Sequence, residues 1–221
     1  QMRYFPVFVD LQGRRVVMVG GGEDATRKIR LLLKTDARLD VIATELHPEL
    51  AGNSRVNWLA KSFAPALLDG ATLVYSADKE LNPQVSAAAQ ARGIPVNAVD
   101  DASISTFIIP SIVDRDPVVV AIGTEGAAPV LAQGIRAKVE ALLPQGLGKL
   151  AARAQSLHDQ VATLVPQGSR RRAFWQDFFF GETRNALDAG DEVAFELSLQ
   201  DAIHAQSKPA RGRVSLVGAG P

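Results

Sequence analysis

Short apolar runs alternate, along the first half of the chain, with segments whose apolar positions recur every three or four places. The run Arg15-Val16-Val17-Met18-Val19 ends abruptly at Gly20-Gly21-Gly22, after which Ala25, Ile29, Leu32 and Leu33 fall at helical spacing. The predicted order there is strand, tight turn, helix. A lead-in strand is predicted over 4–9, and further strands over 39–43, 71–76 and 94–99. A helix is predicted over 83–92, with Asn82 as its cap, Pro83 in its first turn and Gly93 closing it. Strands alternating with helices predict an α/β fold with a parallel, doubly wound sheet. Its sites would gather at the carboxyl ends of the strands, where the glycines, Thr44-Glu45 and Asp100 fall.

The pattern then changes. Residues 107–113 and 117–122 predict a strand pair joined by Asp114-Arg115-Asp116, for which turn chemistry is the expected role. A glycine-containing loop leads to a helix over 130–143 that Pro144 stops, and 147–205 is nearly all helical in pattern. Residues 208–212 suit a linker. Residues 214–221 start another strand and glycine turn with no helix after it, which predicts a chain cut at the first strand of a further domain.

Gly20-x-Gly22-x-x-Ala25 fits the dinucleotide fingerprint of a Rossmann-type βαβ unit. Gly20 permits the tight turn, Gly22 lets a pyrophosphate approach the backbone, and Ala25 lets the helix pack close to the strand. The free amides opening that helix would face the phosphates. Glu45, ending the second strand, stands where a ribose hydroxyl would be held, with a solvated loop acid as the competing reading. A plain structural turn competes with NAD binding, and a turn or cap role competes with catalysis at Asp100.

Composition narrows the setting. Basic and acidic residues balance at 24 each, so no global field points to nucleic acid or a membrane surface. Cysteine is absent, which removes disulfides, thiolate metal sites and cysteine nucleophiles and fits a reducing, cytoplasmic setting. No apolar stretch is long enough to span a bilayer, and no signal-peptide pattern is seen. His47, His158 and His204 are too scattered to suggest a metal site. Arg170-Arg171-Arg172 beside aromatics could suggest nucleic acid, but Phe174, Trp175 and Phe178 fit the buried stripe of a helix.

Several stretches together resemble the N-terminal half of the bacterial multifunctional siroheme synthases, the precorrin-2 dehydrogenase and sirohydrochlorin ferrochelatase module. They are Val19-Gly20-Gly21-Gly22, Arg27-Lys28, Asn97-Ala98-Val99-Asp100, the block 105–115, and Ala128-Pro129-Val130-Leu131-Ala132. Leu142-Leu143-Pro144 and Arg171-Arg172-Ala173-Phe174-Trp175 continue the match, and 214–221 resembles the opening of the fused uroporphyrinogen-III methyltransferase. The resemblance spans essentially the whole chain. It implies a Rossmann-type NAD-binding domain over 1–112, a mixed α/β dimerisation segment over 113–146, a helical region over 147–208, and 209–221 as linker and first strand of the methyltransferase.

The implied chemistry is NAD-dependent oxidation of the tetrapyrrole precorrin-2 to sirohydrochlorin, then insertion of ferrous iron to give siroheme. One pocket of a cytoplasmic homodimer would serve both steps, between the dinucleotide domain and the dimerisation region, with iron as substrate and no resident metal. By the resemblance Asp100 falls on the catalytic aspartate, and a carboxylate there can act as general base for proton loss in both steps. Gly20, Gly21, Gly22, Glu23, Asp24, Thr44, Glu45 and Asn97 fall on cofactor positions. The loop over 123–128 departs from the serine-rich family pattern, which removes hydroxyls from it. Asp101 forms a doublet with Asp100, and a neighbouring like charge is expected to raise the pKa of one of them. Two alternatives stay open: a dehydrogenase without chelatase activity, and a non-enzymatic NAD-binding redox sensor.

Overall fold

The computed structural model describes residues 2–126 and 128–207. Its main sheet has five parallel strands, β1 (Arg15–Val19), β2 (Arg38–Ile42), β3 (Val56–Ala60), β4 (Leu73–Ser76) and β5 (Val96–Ala98), in the order β3-β2-β1-β4-β5. From β1 the chain builds outward to β2 and β3, then crosses to β4 and β5 on the other side. The strand order therefore reverses between β1 and β4, which opens a crevice above their carboxyl ends.

β1 is an unbroken apolar run because helices cover both its faces. Val16 and Met18 pack with Ala25, Ile29 and Leu32 of α1 (Glu23–Leu32) and with Leu39 and Val41 of β2. Val17 and Val19 turn the other way, toward Val85, Ala88 and Ala89 of α3 (Asn82–Gln90) with Val74 and Val96. The period of two along the strand thus sorts its side chains into two cores. Between β2 and β3 lies one helical turn, α2 (Pro48–Ala51), capped by His47, whose Nδ1 accepts the Glu49 N–H at 3.3 Å.

Three expectations need correcting. Residues 4–9 form no strand: Pro6 has no N–H to give a ladder, and Phe5, Val7 and Phe8 are exposed. Asn82 does not cap α3, because its side chain is taken up elsewhere, accepting the Ser76 hydroxyl at 2.6 Å and donating to the Val99 carbonyl at 3.3 Å. Asp78 instead closes the turn before α3, its carboxylate accepting the Glu80 and Leu81 amides at 3.1 and 3.2 Å. The strand pair starts later than predicted, as β6 (Ser111–Arg115) and β7 (Val118–Ile122). The apolar residues before it are claimed by β5: the Thr106 amide donates to the Val96 carbonyl at 2.8 Å and Asn97 Nδ2 to that of Phe107 at 3.0 Å.

The described residues divide into two compact units, one holding those up to Ser111 and those within Ile122–Gly134, the other Ile112–Ala121 and 135–207. After the hairpin comes α4 (Pro129–Leu142), then α5 (Leu147–Leu164), α6 (Ser169–Phe180), α7 (Glu182–Asp188) and α8 (Glu192–Ser207). The last four share a core of Leu150, Val161, Phe174, Phe178, Phe195 and Leu199, in which the predicted stripe of Phe174 and Phe178 is fully buried. Arg171 donates to the Ala162 and Val165 carbonyls at 2.9 and 2.8 Å, closing the end of α5. Asp114 makes the expected turn, accepting the Asp116 amide at 3.0 Å. Arg115 is nearly buried and donates to the Glu140 and Leu143 carbonyls at the end of α4, at 3.2 and 3.3 Å. The predicted linker and final strand over 208–221 lie outside the described residues, as does Ala127 of the serine-poor loop.

Candidate dinucleotide site

The three glycines answer three different constraints. Gly20 has φ 114°, a conformation side chains rarely adopt, and a Cβ there would sit 3.0 Å from the Ala77 carbonyl carbon. Gly21 lies under the connection from β2 to α2, where a Cβ would strike the Glu45 carbonyl oxygen and come within 2.9 Å of Ala43 Cβ. Its own carbonyl accepts the His47 amide at 2.7 Å. Around Gly22 a Cβ would meet nothing within 4 Å, so that side of the turn is open. Ala25 is fully buried against the sheet, as a close helix–strand contact requires.

Gly22 caps α1 without a side chain, and the first helical amide to meet a carbonyl is that of Thr26, on Gly22, at 3.0 Å. The amides before it have no intrahelical acceptor and stand at the positive end of the helix dipole. That donor set fits a pyrophosphate.

A cleft of about 600 Å³ lies over this turn, at the switch point between β1 and β4. Thr44, Glu45 and His47 line one side of the glycines, and Ala77, Asp78 and Lys79 the other. The volume and concavity suit a small-molecule site. The indole N–H of Trp58, on β3, donates to the carbonyl of Ala43 in the cleft wall at 2.9 Å. His47, Asp78 and Lys79 were not foreseen from the sequence. A second cleft, of about 480 Å³, lies at the opposite end of the strands around the Arg92–Asp69 ion pair, away from the glycine turn.

Of the other predicted site residues, Glu23 and Asp24 have neighbours beside the cleft. Glu23 Oε2 lies 3.5 Å from His47 Nε2, and Asp24 Oδ1 lies 2.7 Å from Arg27 Nη2. Asn97 spends its amide on Phe107, as above. Asp100 is exposed just beyond β5. Val19, Ser76 and Ala98 are in register across β1, β4 and β5, so Asp100 stands two strands from the glycine turn, about 10 Å across the sheet. Asp100 has a left-handed backbone, φ 62°. Of the doublet, Asp101 is not the one raised: the Ser103 hydroxyl and amide, at 2.5 and 3.0 Å from Asp101 Oδ1, hold its carboxyl below the ordinary value. Among the described residues no three His, Asp or Glu converge as a metal site, and no helix is long and apolar enough to cross a membrane.

Comparison with known proteins bears on both units. A family model for NAD(P)-binding matches residues 7–111, and a model of the sirohaem synthase dimerisation region matches 146–203. Siroheme synthase of Chromobacterium violaceum is 45% identical over 225 residues, covering 100% of this chain and 48% of that protein. Siroheme synthase 1 of Pectobacterium atrosepticum is 46% identical over 231 residues, with the same coverage. The chain thus spans about half the length of the curated relatives it matches. The solved structure of SirC, a precorrin-2 dehydrogenase, superposes with a TM-score of 0.69 over 90% of this chain and 100% of its own, at 22% identity, a likeness of fold. The chain corresponds to the N-terminal NAD(P)-binding and dimerisation region of siroheme synthases.

Proposed function

We propose that the chain oxidises precorrin-2 to sirohydrochlorin with NAD and inserts ferrous iron to give siroheme. The observation that carries this reading is the uncapped start of α1, opening onto the cleft at the β1–β4 switch point. NAD, when bound, supplies the hydride acceptor. The first-turn amides of α1 and the Lys79 ammonium hold its pyrophosphate. Glu45 accepts from a ribose hydroxyl and repels an added phosphate, which favours NAD over NADP. Asp100 takes the proton that leaves as hydride departs from the substrate. In the second step it takes, in turn, the pyrrole N–H protons that iron displaces, each passing on to water. The working form is a homodimer, in keeping with the matched dimerisation region and with Val130 and Leu131 of α4 lying exposed.

The test mixes the purified chain with precorrin-2 and NAD, follows sirohydrochlorin by its absorbance, then adds ferrous iron. Asp100→Ala should abolish both steps and leave NAD binding nearly intact. Sirohydrochlorin without iron uptake would mark a dehydrogenase alone. NAD binding with no turnover would mark a redox sensor. Turnover that survives Asp100→Ala removes Asp100 from the chemistry.

A further inference from the structure

We propose that Asp101 is a positioning residue, whose carboxylate clasps the turn after β5 and so holds Asp100 in the conformation from which it reaches substrate. The inference rests on the role given to Asp100 above. Aspartate enters the left-handed region more readily than most residues with a Cβ, but still at a cost that its surroundings must offset. Here the backbone on both sides of Asp100 is tied. The Val99 amide donates to the Ser76 carbonyl at 2.8 Å, and the Asp101 amide returns to the Ala98 carbonyl at 3.1 Å. The Ser105 hydroxyl donates to the Asp101 carbonyl at 2.7 Å and accepts the Ala98 amide at 2.9 Å. Ser105 is nearly buried, so these bonds are shielded from water.

The remaining segment, from Asp101 to Ser105, is closed by the Asp101 side chain. Its Oδ1 accepts both the amide and the hydroxyl of Ser103. Asp100 contributes to none of these bonds. The doublet therefore divides its labour: one carboxylate is spent on the turn, and the other is left exposed. Ser103 holds the clasping carboxyl low, so the clasp keeps its ionised form at neutral pH.

The test compares Asp101→Ala, Asp101→Asn and Asp100→Ala in the full chain, by precorrin-2 oxidation and by NAD titration. Asp101→Ala should lower kcat about tenfold through misplacement of Asp100. The Kd for NAD and the shape of the pH–rate profile should stay as in the parent chain. Asp101→Asn keeps an acceptor oxygen for both Ser103 bonds and should restore most of kcat. An Asp101→Asn variant as slow as Asp101→Ala overturns the proposal, since Asp101 would then act through its charge as the proton acceptor. An Asp101→Ala variant with undiminished kcat, beside an inactive Asp100→Ala, also overturns it while leaving the Asp100 reading standing. Full activity in Asp100→Ala instead removes the foundation on which both rest.

Discussion

Two adjacent glycines meet different surroundings, one crowded by the protein and one facing open space. A side chain at Gly21 would collide with the Glu45 carbonyl and with Ala43, both part of the cleft wall. Gly21→Ala should therefore cost about 1–3 kcal/mol of stability through overpacking and weaken NAD as well. A side chain at Gly22 has room, so Gly22→Ala should cost less than about 1 kcal/mol, the scale of a helix N-cap change. It should still impair NAD binding if, as proposed, the pyrophosphate approaches the backbone there. Urea unfolding and an NAD titration on each variant separate the two effects. Equal destabilisation by both would contradict the geometry. The fingerprint alone could not assign the middle glycine, since the chain that presses on Gly21 comes from the connection after β2.

At the level of elements, burial decided what could be read from the sequence. β1 and β4 are covered on both faces and announce themselves as apolar runs. β3 is an edge strand whose Asn57, Trp58 and Leu59 are exposed, so neither an apolar run nor a clean alternation marks it. The hairpin was placed too early because Phe107 and Ile109 are apolar for another reason, packing on the first core beside Tyr75 without joining a strand. The glycine turn was legible as a local motif. His47, Asp78 and Lys79 were not, because only the strand order brings the ends of β2 and β4 to one cleft. Arg115 was foreseen as a turn residue, yet its fork closes α4. Arg115→Ala should cost about 1–3 kcal/mol by leaving the Glu140 and Leu143 carbonyls without their donor. Arg115→Lys should not recover it, since an ammonium lacks the planar fork. Thermal unfolding of the two variants checks both statements.

For the molecule as a whole, one pH-dependent contribution to stability on the alkaline side lies in the first core. Burial of Tyr75, edge-on to Phe107, pushes its phenol up to about 12 from an ordinary 10.0. The folded pKa is raised, so the stabilisation is complete below pH 10.0 and is lost as pH climbs toward 12. Phenolate absorbance and circular dichroism should change together across that interval, and Tyr75→Phe should hold the fold to higher pH. A Tyr75 that ionises near 10 with the fold intact would mean that the core admits water.

The hydrogen bond from the His47 amide to the Gly21 carbonyl has a consequence in time. The glycine turn and the cap of α2 share this bond, so a dinucleotide seated on the glycines would also damp the opening of that helix. Occupancy of the cleft would then be written into the rate at which the amides of α2 trade protons with water. Release of the ligand would be paced by how often that small helix breathes.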